Sequence, residues 1–200
     1  MSMKHVFIQL ICILILQEIT YSQNRLPIDE TSGRIVFSTT SSVVLSKSEM
    51  YKRTKNWLLY QYATSKFEDH FNISKKGKPV YLAEDSRMRS ISGKYGFYIM
   101  YPIEDMSGLN MEQTFVMYTL TVNFKDSAFE SKLSDLKCFT TATSNKGMRP
   151  PQFDLDIYNS AQLNRLYHVQ QYIIPQVMNS ARKVHEDLYR NIRYGNLTSE

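Results

Sequence analysis

The sequence predicts an α+β domain in which helices cover one face of a curved, antiparallel, five-stranded sheet. Two long segments, around residues 90–103 and 113–124, alternate apolar and polar side chains as half-buried strands do. A β-branched segment precedes the first helix, and an apolar stripe with helical spacing runs through the C-terminal part. The predicted order is strand, helix, four strands and helix. Stacking the helices on the sheet is the simplest way to bury both sets of apolar side chains.

The first 22 residues have the layout of a cleavable secretory signal. A lysine precedes an apolar run over residues 6–16, and a polar stretch then ends at Ser22. A membrane anchor is the alternative, but Gln9 interrupts the run, which is shorter than the roughly 20 apolar residues that a spanning helix needs. We therefore expect cleavage between Ser22 and Gln23, no transmembrane helix in the mature chain, and export to the periplasm, the cell surface or the extracellular space.

Removal of the signal from the 200-residue chain leaves 178 residues, a length typical of one domain, which we place at residues 33–194. Residues 23–32 are polar and contain a proline, so we predict a flexible leader there, and a tail at residues 195–200. Cys138 is the one cysteine left in the mature chain, which excludes an internal disulfide. The net charge of +5 comes from scattered basic residues and is typical of a solvated surface.

The first two predicted elements are a strand and a helix. Residues 34–42 are rich in β-branched side chains, as strands are. Ser46 lies three residues before Glu49, and this capping box predicts a helix over residues 47–67. Its apolar residues recur at helical spacing, so we expect one buried face.

The clearest period-two pattern in the chain predicts a long strand after a loop at residues 70–79 and a short strand at residues 80–84. One predicted face comprises Ile91, Gly93, Tyr95, Phe97, Ile99, Tyr101 and Ile103. The opposite face comprises Ser90, Ser92, Lys94 and Tyr98. Gly93 and Gly96 are predicted to allow a bend or a bulge.

Two further strands follow a loop predicted at residues 104–112. In residues 113–124 one face comprises Val116, Tyr118, Leu120, Val122 and Phe124. In a fifth strand at about residues 132–143, Leu136 and Cys138 alternate with Lys137 and Phe139.

The rest of the chain is predicted to be a turn followed by helices. Turn residues occupy 145–151, and the pattern becomes helical from Ser160 onward. We predict a short helix near residues 160–168 and a long one that begins close to Pro175, because proline suits the first turn of a helix.

Several segments together resemble a known family. They are GRIVFSTT at 33–40, SKSEMY at 46–51 leading to Trp57, ISGKYGF at 91–97, LTVNFKD at 120–126 and the final helix with Arg182. With a signal peptide that ends before Gln23, the chain is similar to uncharacterised exported domains of Bacteroidetes-type bacteria that have a TATA-binding-protein-like fold. The resemblance implies this fold and brings no established activity. Because function belongs to sites and an exported protein is separated from the chromosome, we expect no nucleic-acid partner.

No residue pattern indicates catalysis or a cofactor. The mature chain has His70, His168 and His185, without HExxH or CxxC spacing. A GxSxG nucleophile elbow and the phosphate-binding patterns GxGxxG and GxxxxGK are missing from the sequence. We therefore assign no catalytic, metal-binding or cofactor-binding residue and expect no cofactor.

The leading hypothesis is a non-enzymatic, exported binding or envelope-associated domain. Its partner, an envelope component or a protein, would bind the sheet face or the groove between the sheet and the C-terminal helix. Tyr98 and Tyr118 are the aromatic residues that we predict to face a ligand.

Two alternatives remain open. The first is a hydrolase of an envelope polymer with Asp154 or Glu104 as acid or base, which requires a carboxylate with a raised pKa in a concave site. The second is a binder of anionic lipid surfaces, which requires the scattered lysines and arginines to converge on one side of the fold.

Overall fold

A computed structural model describes residues 26–64, 83–85, 87, 89–105, 108–140, 152–155 and 169–195. Within these ranges the helices and strands are, in chain order, β1 (Phe37–Ser42), α1 (Lys47–Thr64), β2 (Ala83–Glu84), β3 (Ser90–Asp105), β4 (Gly108–Lys125), β5 (Ala128–Thr140), β6 (Gln152–Asp154), a π-helical turn (Val169–Ile173) and α2 (Ile174–Tyr194). The signal cleavage site, the predicted loop at 70–79, the turn at 145–151 and the short helix at 160–168 lie outside the described residues.

All described strands belong to one antiparallel sheet with the order β1-β5-β4-β3-β2, and β6 also pairs with β5. β1 lies beside the first half of β5 and β6 beside its second half, so both occupy the same side of that strand. The α+β class and the antiparallel sheet are confirmed. β6 adds a strand to the five that were predicted.

The β3–β4 hairpin is the longest ladder of the sheet. Its pairs run from Ser90 opposite Asn123 to Asp105 opposite Gly108 without a shift. The loop predicted at residues 104–112 is therefore wrong, since paired backbone occupies most of that segment. The polar side chains there misled the prediction because ladder hydrogen bonds form between backbone groups whatever the side chains are.

The two faces of β3 and β4 are divided as the alternation predicted. The buried apolar members of the inner face are Ile91, Tyr95, Ile99, Tyr101, Val116, Tyr118, Leu120, Val122 and Phe124. The predicted bulge at Gly93 and Gly96 is absent from this ladder. These glycines serve close packing instead, because a Cβ at Gly96 would lie 2.1 Å from the ring of Phe115.

A bulge occurs in β5 instead, where the register with β4 shifts between Met117 and Thr119. Asp135 lies at this point with φ of 52°, a left-handed conformation that aspartate tolerates better than most residues. The bulge exchanges the faces of the strand. Leu133 is buried before it, and Leu136 and Cys138 are buried after it.

α1 begins as the capping pattern predicted. The Oγ atom of Ser46 accepts a hydrogen bond of 3.2 Å from the N–H of Glu49. The Glu49 carboxylate contacts Arg53 Nε at 2.7 Å, so this contact takes the place of the second half of the capping box. The buried face of α1 comprises Met50, Thr54, Trp57 and Leu58.

α2 has Pro175 in its first turn, which confirms the predicted start. At its end Gly195 adopts φ of 71°, and its N–H donates a 2.8 Å hydrogen bond to the carbonyl of Asn191. The buried stripe comprises Ile174, Val177, Ala181, Leu188 and Ile192. This stripe packs with α1 and the inner face of the sheet into one hydrophobic core.

The guanidinium of Arg53 ties α1 to the end of α2. Its Nη1 atom donates to the carbonyls of Ile192, at 2.9 Å, and Arg193, at 3.1 Å. These carbonyls belong to the last turn of α2, where the helix dipole favours a positive charge. The Arg53 side chain therefore links α1 to α2.

The ordered chain begins before Gly33. Leu26 is buried in the core at 5% exposure, and Ile28 forms an antiparallel bridge with Ile35. The flexible leader predicted at residues 23–32 is therefore wrong for residues 26–32. Polarity alone suggested a leader, but the buried Leu26 and the backbone hydrogen bonds around the bridge anchor the segment. In the described part of the chain, no helix has the length and hydrophobicity needed to cross a bilayer.

We predict that Arg53→Met lowers the free energy of unfolding by about 1–3 kcal/mol, because it leaves two helix-terminal carbonyls and Glu49 without their cation. Urea denaturation measures the loss. Arg190→Met is the matched control, since Arg190 is exposed on α2 and lies 3.9 Å from Glu186, and its removal should change stability by less than about 0.5 kcal/mol. Equal losses in the two variants would contradict the role of Arg53.

Candidate binding groove

A groove of about 1200 Å³ lies between β1 and α2. β1 is an edge strand, and its half-buried side chains Phe37, Thr39 and Ser41 line one side. α2 lines the other side. The groove follows from the packing, since the buried stripe of α2 covers the inner strands and leaves a space beside the edge strand.

The groove-facing residues of α2 recur once per helical turn, at Met178, Arg182, His185 and Tyr189. This stripe is adjacent to the one that enters the core. The side chain of Arg182 is 71% exposed, and its Nη2 atom donates to Asn179 Oδ1 at 2.8 Å. Its Nε atom is 3.8 Å from Glu186, a weak exposed pair that leaves the guanidinium accessible to a ligand.

The N-terminal segment forms one end of the groove. Leu26 and Pro27 contribute to its lining, and the carbonyl of Pro27 accepts a 3.1 Å hydrogen bond from the N–H of Val36. Sequence reasoning missed these residues. The only signal was an isolated leucine and proline in a polar segment.

His185 lies at the base of the groove and is half-buried. Its Nδ1 atom is 2.7 Å from Ser131 Oγ, while Nε2 is buried and makes no hydrogen bond of normal geometry among the described residues. Burial lowers the pKa of His185, against an opposing contribution from the backbone of Phe37. The imidazole is therefore neutral at physiological pH.

The contact between Ser131 and His185 has the residue types of a nucleophile and its base. Ser131 is, however, 0% exposed in the interior of the sheet. A nucleophile must reach its substrate, so we interpret the contact as structural.

Tyr98 lies on the sheet face opposite the helices and is 38% exposed. Its ring centroid is 5.1 Å from that of Phe115, which is 6.5 Å from that of Phe139, so the three rings form a row across β3, β4 and β5. Phe115 and Phe139 are only 4% and 8% exposed. Of this row, Tyr98 alone offers substantial surface to a ligand.

Tyr118 does not face a ligand, which corrects the prediction. It is paired with Tyr95 on the helix-covered face and is 4% exposed. Its ring packs against Tyr95 and Phe97, with centroids 6.4 and 5.6 Å away, and burial raises its pKa. The alternation of apolar side chains in β4 already placed Tyr118 on the same face as the core residues. The burial of Tyr118 was therefore predictable, and the prediction of a ligand contact was wrong.

The two acidic residues considered for hydrolysis lie on strands that are far apart in the sheet. Asp154 is exposed on β6 beside Lys137 of β5, whereas Glu104 lies near the hairpin end of β3, opposite Leu109. Three strand spacings separate the two, which alone amount to about 14 Å. Asp154 is not among the described residues that line the groove.

Cys138 and the metal-binding residue types offer no reactive site in the described part. Burial, with a smaller contribution from Asp154, raises the pKa of the Cys138 thiol to about 12, so it is protonated at neutral pH. Among the described residues, no group of three or more His, Cys, Asp or Glu side chains could hold a metal ion.

We predict that His185 makes stability depend on pH. Because its pKa is lower in the folded than in the unfolded chain, its stabilising effect is complete above about pH 6.5 and is lost as the pH falls towards the folded value. Urea denaturation between about pH 8 and about pH 5 should show a shallower pH dependence in His185→Gln than in the wild type. Identical slopes would contradict the prediction.

Comparisons with known proteins agree with this fold. A family model described as a domain of unknown function (DUF4468) with a TBP-like fold matches residues 37–139. A crystal structure of a TBP-like protein from Parabacteroides distasonis ATCC 8503 has 13% sequence identity and a TM-score of 0.59, and the match covers 83% of this chain and 96% of the other. A DUF4468 family protein from Bacteroides ovatus ATCC 8483 has 13% identity and a TM-score of 0.57, with 86% and 94% covered.

No curated protein matches the chain. At 13% identity the two crystal structures show a shared fold and carry no information about a site. The family model extends from the first residue of β1 to the penultimate residue of β5 and covers more than half of the sequence. The chain therefore belongs to the DUF4468 family, a domain of unknown function with a TBP-like fold.

Proposed function

We propose that this protein is an exported binding domain that holds its partner in the groove between β1 and α2 without transforming it. The groove is the observation that supports this proposal. Its volume of about 1200 Å³ is slightly above the usual range for ligand sites, roughly 300–1000 Å³. Its lining combines apolar surface from Leu26 and Met178 with polar groups from Arg182 and β1, as binding sites do.

The groove is a better candidate than the aromatic face. On that face Tyr98 is the one exposed ring of its row, and the neighbouring rings are already buried by the protein. The groove instead brings together side chains from two elements that are far apart in the sequence. A partner could therefore contact β1 and α2 at the same time.

The observations favour binding over hydrolysis. Ser131 is inaccessible, His185 is neutral and engaged with it, and Glu186, the acidic residue in the groove, is exposed at the surface. General acid–base catalysis requires a group whose pKa has been adjusted towards the working pH and which reaches the substrate. These groove residues do not form such an arrangement.

Export is the second part of the proposal, and the signal-like layout of residues 1–22 supports it. The partner would then be an envelope component or a protein encountered in the periplasm, at the cell surface or outside the cell. The binding of anionic lipid has weaker support, because Arg182 shares its part of the groove with Glu186.

We predict that a secreting bacterial host processes the chain between Ser22 and Gln23. Intact-mass measurement of the exported protein should give an N-terminus at Gln23. Leu14→Arg places a charge in the apolar run and should leave the precursor uncleaved inside the cell, whereas Leu14→Val should be processed normally. Export of an uncleaved chain by the wild type would contradict the prediction.

We predict that a partner bound in the groove depends on Arg182. The exported protein is titrated with four probes: a synthetic peptide pool, a set of bacterial cell-wall oligosaccharides, heparin and phosphatidylglycerol vesicles. At least one probe should raise the melting temperature saturably, and Arg182→Glu should weaken its binding by about tenfold or more.

Lys183→Glu makes the same charge change on the adjacent exposed residue outside the groove and should have little effect. Tyr98→Ala tests the alternative face. Loss of binding in Tyr98→Ala with retention in Arg182→Glu would move the site to the sheet face. Chemical conversion of the probe would identify an enzyme, and the failure of all four probes would refute binding in the groove.

A further inference from the structure

The outer edge of β1 presents backbone groups that have no partner among the described residues. The N–H of Val43 donates to Ser127 on the β5 side, and the N–H of Val36 donates to Pro27 on the outer side. Because successive residues of a strand direct their backbone groups to opposite sides, the N–H and C=O of Ser38, Thr40 and Ser42 point outward. These groups are spaced as another strand requires.

This edge lacks the devices that usually prevent strand addition. The β1 sequence FSTTSS contains no charge and no proline, and its six pairs with β5 have no bulge. The opposite edge of the sheet differs. β2 has two residues, and Glu84 in it is bound by Tyr51 and Lys55. The part of β3 that extends past β2 is also an edge in the described chain, but its sequence contains Lys94, Pro102 and two acidic residues. Among the described edges, the one formed by β1 is regular and uncharged.

The groove lies directly beside this edge. A strand added to β1 would direct every second side chain towards Met178, Arg182 and Tyr189, and the others away from α2. The exposed guanidinium of Arg182 is complementary to a carboxylate in such a segment. Backbone pairing would supply affinity, and the groove would supply selectivity.

We infer that the groove binds an extended polypeptide segment of another protein, which adds to the sheet as a strand beside β1 and places an acidic side chain against Arg182. This inference rests on the proposed function and names the class of its partner. Large apolar side chains at alternate positions would fill the space next to Met178 and Leu26.

A second copy of the chain fits this site less well. If the β1 strands of two copies paired about a two-fold axis, each would offer the other Phe37, Thr39 and Ser41 as inward side chains. Two of these are small, and the groove of about 1200 Å³ would remain poorly filled. We therefore assign the site to a different polypeptide.

The test removes a backbone donor while leaving the groove side chains intact. Thr40 has its side chain exposed on the face away from α2, and its N–H points to the outer edge. Thr40→Pro deletes this donor, and proline is tolerated at the solvent side of an edge strand. Thr40→Val changes the side chain but keeps the donor, so it is the matched control.

Random dodecapeptides displayed on phage are selected on the wild-type exported protein, and the tightest synthetic peptide becomes the probe. We expect Thr40→Pro to weaken its binding by about tenfold or more and Thr40→Val by less than about twofold. Circular dichroism and melting temperature establish that both variants are folded. If Thr40→Pro does not fold, the test uses instead a peptide with methyl groups on alternate backbone nitrogens. This peptide should bind the wild type about tenfold or more weakly than the unmodified peptide does.

The outcomes separate the two proposals. Loss of binding in both Thr40→Pro and Arg182→Glu supports strand addition in the groove. Loss in Arg182→Glu alone overturns strand addition and leaves the groove as the site, and loss in neither overturns both. A selection without any binder overturns the inference, as does a wild-type dimer that Thr40→Pro converts to a monomer.

Discussion

Two helices bury one face of the sheet, and this packing sets the arrangement of the whole domain. The ladders of β3, β4 and β5 are long and nearly continuous, so their inward residues form a single apolar surface. α1 and α2 complete the core over that surface, and Arg53 joins them by binding the last carbonyls of α2. This packing determines the position of each helix. It therefore also determines where the helix residues outside the core lie.

The groove is a consequence of the same packing. α2 buries its apolar stripe over the inner strands, and β1 is left at the margin of the sheet, where its outer backbone groups have no partner among the described residues. Met178 and Arg182 lie on the side of α2 that overlooks this margin. The site therefore requires no special loop, because it forms where α2 passes beside the edge strand of the sheet.

The sequence alone predicted what depends on local periodicity. Alternation in β3 and β4 identified their faces, Ser46 marked the start of α1, and Pro175 marked the start of α2. A groove between the sheet and the C-terminal helix was one of the predicted binding surfaces, but its place beside β1 was not predicted, because β1 and β5 are paired across some ninety residues and no local pattern encodes that contact. Three further features were missed for a related reason: the hairpin end of β3, the burial of Leu26 and the bulge at Asp135. Each depends on backbone pairing or on a single core contact, which a local sequence pattern does not indicate. For Tyr118 the pattern correctly predicted the side of the strand on which it lies. The additional prediction that it faces a ligand was wrong.

The pairing of β1 with β5 has a consequence for how the chain folds. The β3–β4–β5 meander joins neighbouring segments, so the entropy lost in closing its loops is small, whereas β1 must find a partner about ninety residues further along the chain. β1 is thus expected to join the sheet after the meander has formed. β1 pairs with a strand on one side alone in the described part of the chain. The amide hydrogens of Phe37, Thr39 and Ser41, which face β5, should therefore exchange with solvent deuterium through local opening of this edge, well before those at the centre of β4.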